Sequence, residues 1–184
     1  MLCRFLPVAL AALLLQGCGI TMPRYESSYD NVQALRAKAP LATLDAPSVE
    51  ADAGQNSIFV RANPVRSPEG DLSQHVQHAL EGELRLAGLL EPGSPRHLDV
   101  RLRKTDLHAA AFGDGQGTLS ADFDLRDKGV SLYHGSKQVS SRWDSSFFAV
   151  FAIPRAANAF NPLVRELLAE LYQDPEFIQA LKRP

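Results

Sequence analysis

The chain has 184 residues, with 19 Lys and Arg against 21 Asp and Glu and a formal charge of −2. That balance lacks the basic stripe of a nucleic-acid binder, and the length suits one domain with a true core. The whole cysteine complement is Cys3 and Cys18.

A short basic region ends at Arg4, Phe5 to Leu15 is apolar, and Gly17 precedes Cys18. Spanning a bilayer as a helix takes roughly 20 apolar residues, so this run reads as a secretory signal peptide over residues 1–17. The tetrapeptide Leu15-Gln16-Gly17-Cys18 resembles the lipobox of bacterial lipoproteins. The resemblance implies a diacylglycerol thioether on Cys18, cleavage before it and acylation of the new amino group. Cys3 falls in the discarded part. One acyl chain binds a membrane marginally while two or more hold stably, so Cys18 is expected to anchor the protein to a membrane. Gly19 follows in place of Asp, which by analogy with enteric lipoproteins favours the outer membrane, facing the periplasm, and leaves the inner membrane open.

Residues 18–56 are rich in Ala, Pro, Ser and Asp, with a short helix expected around Val32 to Lys38. They read as a lipid anchor and tether spanning about 35 Å, ahead of a periplasmic domain at 57–184. "SIFVRA" predicts a short strand and "NPVRSPEG" a loop. Asp71 and Gln74 predict a capping box, and Leu72, Val76, Ala79, Leu80, Leu84 and Ala87 predict an amphipathic helix stopped by Gly88. In "HLDVRLRKTDL", Leu98, Val100 and Leu102 alternate with charges, as in a sheet covered on one side. Leu119, Ala121, Phe123 and Leu125 alternate again. The parity then changes, which predicts a bulge or turn at Lys128-Gly129. "YHGSKQ" is expected to turn at Gly135, and the returning strand to run through Trp143 into "FFAVFAI". Pro154 would open the helical part, Asn161-Pro162 offers a second start, and Asp174-Pro175-Glu176 starts a terminal helix. The expected fold class is α+β: a small mixed, mostly antiparallel sheet with two helices packed on one face.

Few motifs carry chemistry. Gly113, Gly115 and Gly117 precede a strand pattern, whereas a phosphate loop would feed a helix, so they read as a flexible hairpin connection. His75 and His78 lie one helical turn apart, but no spacing supplies a third ligand, and exposed histidines are expected. Asp122 and Asp124 share one strand face with Arg101 and Arg103 as cross-strand partners. The serines of "VSSRWDSS" lack a nucleophile-elbow context. No catalytic residue, metal site or cofactor is assigned. Trp143, Phe147, Phe148 and Phe151 supply more apolar surface than a one-sided sheet needs. They read either as a strand end under the terminal helix or as a partner or lipid-binding surface.

"ALEGELRLAGL", "LDVRLRKTDL", "YHGSKQ" and "LVRELLAELYQDPEFIQAL" together resemble the YajG-like small bacterial lipoproteins over roughly residues 57 to 181. A looser likeness extends to auxiliary lipoproteins of envelope transport and assembly systems. The resemblance implies no activity for particular residues. The expectation is a non-catalytic, lipid-anchored accessory subunit with an envelope protein partner; the alternatives are a carrier of a lipid or other apolar ligand and, less favoured, an enzyme.

Overall fold

The computed structural model describes residues 19–182; the signal-like run and Cys18 lie outside the described residues. Strands β2 (Ser48–Ala51), β5 (Arg96–Ala109), β6 (Asp114–Asp127) and β7 (Val130–Asp144) lie side by side in that order. β5, β6 and β7 form an antiparallel meander, and β2 joins β5 in parallel. The alternation in the sequence is realised as expected. Leu98, Leu102, Leu119, Ala121, Phe123 and Leu125 are fully buried, while the intervening charges face out. A bulge after Leu102 shifts the parity of β5, so that Leu107 and Ala109 still point inward. The turn at Lys128-Gly129, both in the left-handed region, joins β6 to β7.

All the covering helices lie on the inner face. α2 (Leu72–Ala87) packs on β2, α3 (Ala149–Asn158) on β5 and β6, α4 (Phe160–Gln173) on β6 and β7, and α5 (Pro175–Lys182) on β7. The fold is therefore α+β as expected, with four helices on the face where two were predicted among these residues. α2 begins with the predicted capping box of Asp71 and Gln74 and ends at Gly88, whose φ of 78° is left-handed. α4 buries Phe160, Val164, Leu167 and Leu171 completely or nearly so. Burying each such side chain contributes about 1.5–3 kcal/mol.

The predicted tether is part of the body. β1 (Ile20–Thr21), α1 (Tyr29–Arg36) and β2 place Met22, Val32, Leu35, Leu44 and Val49 in the core. Polar links hold the same segment. Fully buried Glu83 of α2 accepts from Tyr25 Oη at 2.6 Å, Ser28 N at 2.9 Å and Asn31 Nδ2 at 3.1 Å. Each of those donors would otherwise lose a partner on burial.

"NPVRSPEG" is not wholly a loop: β3 (Ile58–Val60) and β4 (Asn63–Arg66) form an antiparallel hairpin, and β1 adds to β4 in parallel. Pro64 is tolerated in this central strand because β1 first pairs opposite Val65, one residue later. β3 buries Ile58 and Val60 but leaves Phe59 exposed. The hairpin turn is Arg61-Ala62, with φ of 50° and 63°.

Two further expectations are corrected. Gly135 does not turn the chain; it sits in mid-β7 opposite Phe123, where Tyr133 packs over it. "FFAVFAI" is not a strand, because the chain bends after Asp144, Phe148 caps α3, and Pro154 falls inside that helix.

Candidate functional site

Four of the predicted surface residues separate into two groups. Trp143 is half-buried against the core; its ring occupies the space a Cβ at Gly115 would need, while at Gly117 Leu163 and Leu107 fill it with the indole just behind. Those glycines are strand positions that make room for the indole and for Leu107 and Leu163, and not a flexible connection. Phe147, Phe148 and Phe151 are 59, 63 and 57 % exposed, with Val150 at 70 % and Phe112 at 82 % beside them. The Phe112 and Phe147 rings lie 5.4 Å apart and the Phe147 and Phe148 rings 5.6 Å apart. The sequence reading missed Phe112 because it stands alone among Ala and Gly, and only the β5–β6 turn carries it to the others.

This aromatic tip is held from below by Arg61. Its guanidinium donates to the carbonyls of Ala109 at 2.9 Å, Phe147 at 2.9 Å, Ser146 at 2.6 Å and also Ala110. Ser145 Oγ adds a bond to Ala110 O at 2.7 Å. The clamp joins the β3–β4 turn to the β5–β6 turn and to the junction before α3. A two-residue turn with positive φ at both positions normally takes Asn-Gly. Here Arg and Ala adopt it, a strained conformation that persists only when its surroundings enforce it.

The outer face of the large sheet is charged and internally paired. Arg103 reaches Asp122 at 2.6 Å, as predicted, and Asp52 at 3.0 Å. Arg101 turns to Asp52 at 2.7 Å, while Asp124 is served by Arg126 from its own strand at 2.6 Å. Hydrogen bonds from Arg101 and then Arg103 hold the Asp52 carboxyl below its usual range. For Asp122 burial acts upward, but Ser136 and Arg103 outweigh it and the carboxyl is lowered. Asp124 is lowered in the same way by Ser131 and Arg126. A general acid at neutral pH needs the opposite shift. A depression of about 380 Å³ opens on this face, lined by charged side chains including Glu50, Arg101 and Asp124.

The histidine pair is divided. His78 is exposed as expected, whereas His75 is fully buried, on the apolar side of α2. His75 Nδ1 meets Glu69 at 2.7 Å and Nε2 meets Asn161 Oδ1 at 2.7 Å. The Asn161 amide donates to the carbonyls of Pro23 and Arg24, both at 3.0 Å, so its oxygen faces the ring and accepts from Nε2. Burial raises the Glu69 carboxyl, but the His75 bond and charge outweigh it and the net shift is downward. This cluster ties the chain just after β1 to α2 and α4. Among the described residues no group of three His, Cys, Asp or Glu could hold a metal ion, and no helix is long and apolar enough to cross a membrane.

The molecule is thus a small α+β domain with helices on one sheet face, paired charges on the other and an aromatic tip at one end. No family model matches the chain, and no curated protein matches it. Among solved structures it is similar to protein XCC0632 of Xanthomonas campestris, from the DUF330 family, at 13 % identity, covering 84 % of this chain and 92 % of that one with a TM-score of 0.58. A Caulobacter crescentus protein classed as a lipoprotein gives 16 % identity over 85 and 99 % of the two chains and a TM-score of 0.47. A minor lipoprotein of Acinetobacter baumannii gives 11 % over 77 and 94 %, with a TM-score of 0.41. The first of these likenesses establishes a shared fold.

Proposed function

We propose that the chain is a lipid-anchored, non-catalytic envelope lipoprotein of the outer membrane, facing the periplasm and serving as an accessory binding subunit in envelope assembly or transport. The observation that carries this reading is the seam between leader and body. The lipobox-like Leu15-Gln16-Gly17-Cys18 ends directly before Gly19, and β1 begins at Ile20. Lipid on Cys18 would fix the folded domain itself to the membrane and raise its effective concentration for any partner working there. The YajG-like assignment rests on the sequence pattern quoted above, and so does the outer-membrane destination.

A carrier of an apolar ligand has less support. The space between sheet and helices, where a ligand would sit, is filled by Phe123, Leu125, Leu167, Leu168 and Leu171, all fully buried.

The test is mass spectrometry of the native protein from detergent-solubilised membranes, wild type against Cys18→Ala. Acyl mass on the N-terminal peptide together with a defined co-purifying protein supports the accessory role. Acylated protein that emerges alone removes the partner, and an unmodified Cys18 removes the anchor.

A further inference from the structure

The aromatic tip draws on three separate segments. Phe112 comes from the β5–β6 turn, Phe147 and Phe148 from the junction after β7, and Val150 and Phe151 from the first turn of α3. Single exposed apolar residues need no explanation, but a contiguous cluster marks a surface that meets something.

Gly19, the first described residue, lies at the same end. β1 runs parallel to β4 with Ile20 opposite Val65, and a Cβ at Gly19 would lie 3.1 Å from Pro64. From Thr21 back to Gly19 the chain therefore runs along β4 in the direction of Asn63 and the Arg61-Ala62 turn, the turn that clamps the tip. β1 also packs against α3. Exposed Phe59 pairs across from Pro64 on the far side of β4. Cys18 is the residue immediately before Gly19 in the sequence.

The backbone of the tip favours lipid as its partner. A loop in water can leave its carbonyls to the solvent, but one entering a bilayer interface must satisfy them internally. Here the carbonyls of Ala109, Ala110, Ser146 and Phe147 all accept from Arg61, and Ser145 adds a second donor to Ala110. The rings are exposed while four carbonyls behind them already have their donors.

We infer that the tip formed by Phe112, Phe147, Phe148, Val150 and Phe151 seats in the bilayer interface beside the acylated Cys18, so that the domain lies on the membrane in one fixed orientation. This rests on the lipid anchor proposed above. The seating would be shallow, on the scale of about 5–10 Å seen for interfacial helices.

The test uses the full-length, membrane-purified protein in vesicles of phosphatidylethanolamine and phosphatidylglycerol. Phe112→Cys and, at the opposite end of the sheet, Val130→Cys each place one thiol for an environment-sensitive fluorophore. Nitroxide-bearing phospholipid is the quencher, and intact mass reports acylation independently. The expected result is quenching several-fold stronger at position 112 than at 130. Adding Phe147→Asp and Phe148→Asp to Phe112→Cys should bring quenching down to the level at 130, while acyl mass, vesicle co-sedimentation and the circular dichroism melt are kept. Equal, weak quenching at both positions in acylated protein overturns the seating and leaves the anchor standing. A blue-shifted but unquenched label at 112 also overturns it, because protein, such as a second copy of the chain, then covers the tip. Absence of acyl mass removes the anchor and the inference with it.

Discussion

Tyr133 packs over Gly135, two positions ahead on the same strand, and carries its hydroxyl on to Asp174 at 2.7 Å. A Cβ at position 135 would lie 2.5 Å from Cζ of that ring, so Gly135→Ala must push the phenol off its acceptor. The expected loss is about 1–3 kcal/mol, from overpacking and a broken buried hydrogen bond. Tyr133→Ala in the same chain should recover part of it, a non-additivity that separates ring crowding from backbone effects. Denaturant midpoints at unchanged slope would read both.

Asp174 also caps α5 through Glu176 N at 2.8 Å and pairs with Lys137 at 2.6 Å. Burial pushes its carboxyl up, but Lys137, Tyr133 and the Glu176 amide together bring it down to about 2. A pKa lowered by folding gives stability that is present above the unfolded value, near 3.8, and disappears as pH falls towards 2. Wild type should therefore lose on the order of 1–2 kcal/mol across that window through this group, after allowance for screening by solvent. Asp174→Asn should flatten the difference between unfolding curves at pH 4 and pH 2. An unchanged slope in the variant would assign the acid sensitivity elsewhere.

Asn161→Ala would strip the acceptor from His75 Nε2 and the donor from the carbonyls of Pro23 and Arg24 in one step. A cost of about 1–3 kcal/mol is expected for the buried nitrogen alone. Hydrogen exchange should quicken in residues 20–36 before it does in β6, because that segment loses a tie to α4. Uniform acceleration across the chain would count against a local role.

Arg61→Lys keeps the charge but replaces a planar fork with one compact ammonium. It cannot serve the four carbonyls that Arg61 reaches. Peptides covering 110–113 and 145–148 should exchange about tenfold faster, equivalent to roughly 1.4 kcal/mol of local opening. β6 is the internal reference.

The elements easiest to read were those whose signals are local. Asp71 and Gln74 announced a helix start, and Leu119 to Leu125 alternated without interruption. Asp174 stood before a proline at the start of α5. The N-terminal third was harder because its buried residues come singly: Met22, Leu44 and Val49 sit among Pro, Ala and Ser, and gain their meaning only by pairing with β4, with Leu89-Leu90 after α2 and with β5. Arg61-Ala62 hid a hairpin, since neither residue advertises positive φ. Gly115 and Gly135 looked like punctuation when they were spaces left for Trp143 and Tyr133. His75 could have been found, being three residues after Leu72 and four before Ala79 on the apolar side of α2. Within the tip, the exposure of Phe147, Phe148 and Phe151 was an open alternative in the sequence, while Phe112 required the fold.

The absence of slack between position 18 and β1 limits reach. A domain of this length has a radius of gyration of about 15 Å. With acyl chains on Cys18, the whole body would stay within roughly 40 Å of the lipid on that scale. It would diffuse as a two-dimensional particle, and any partner would have to come to the membrane plane to meet it.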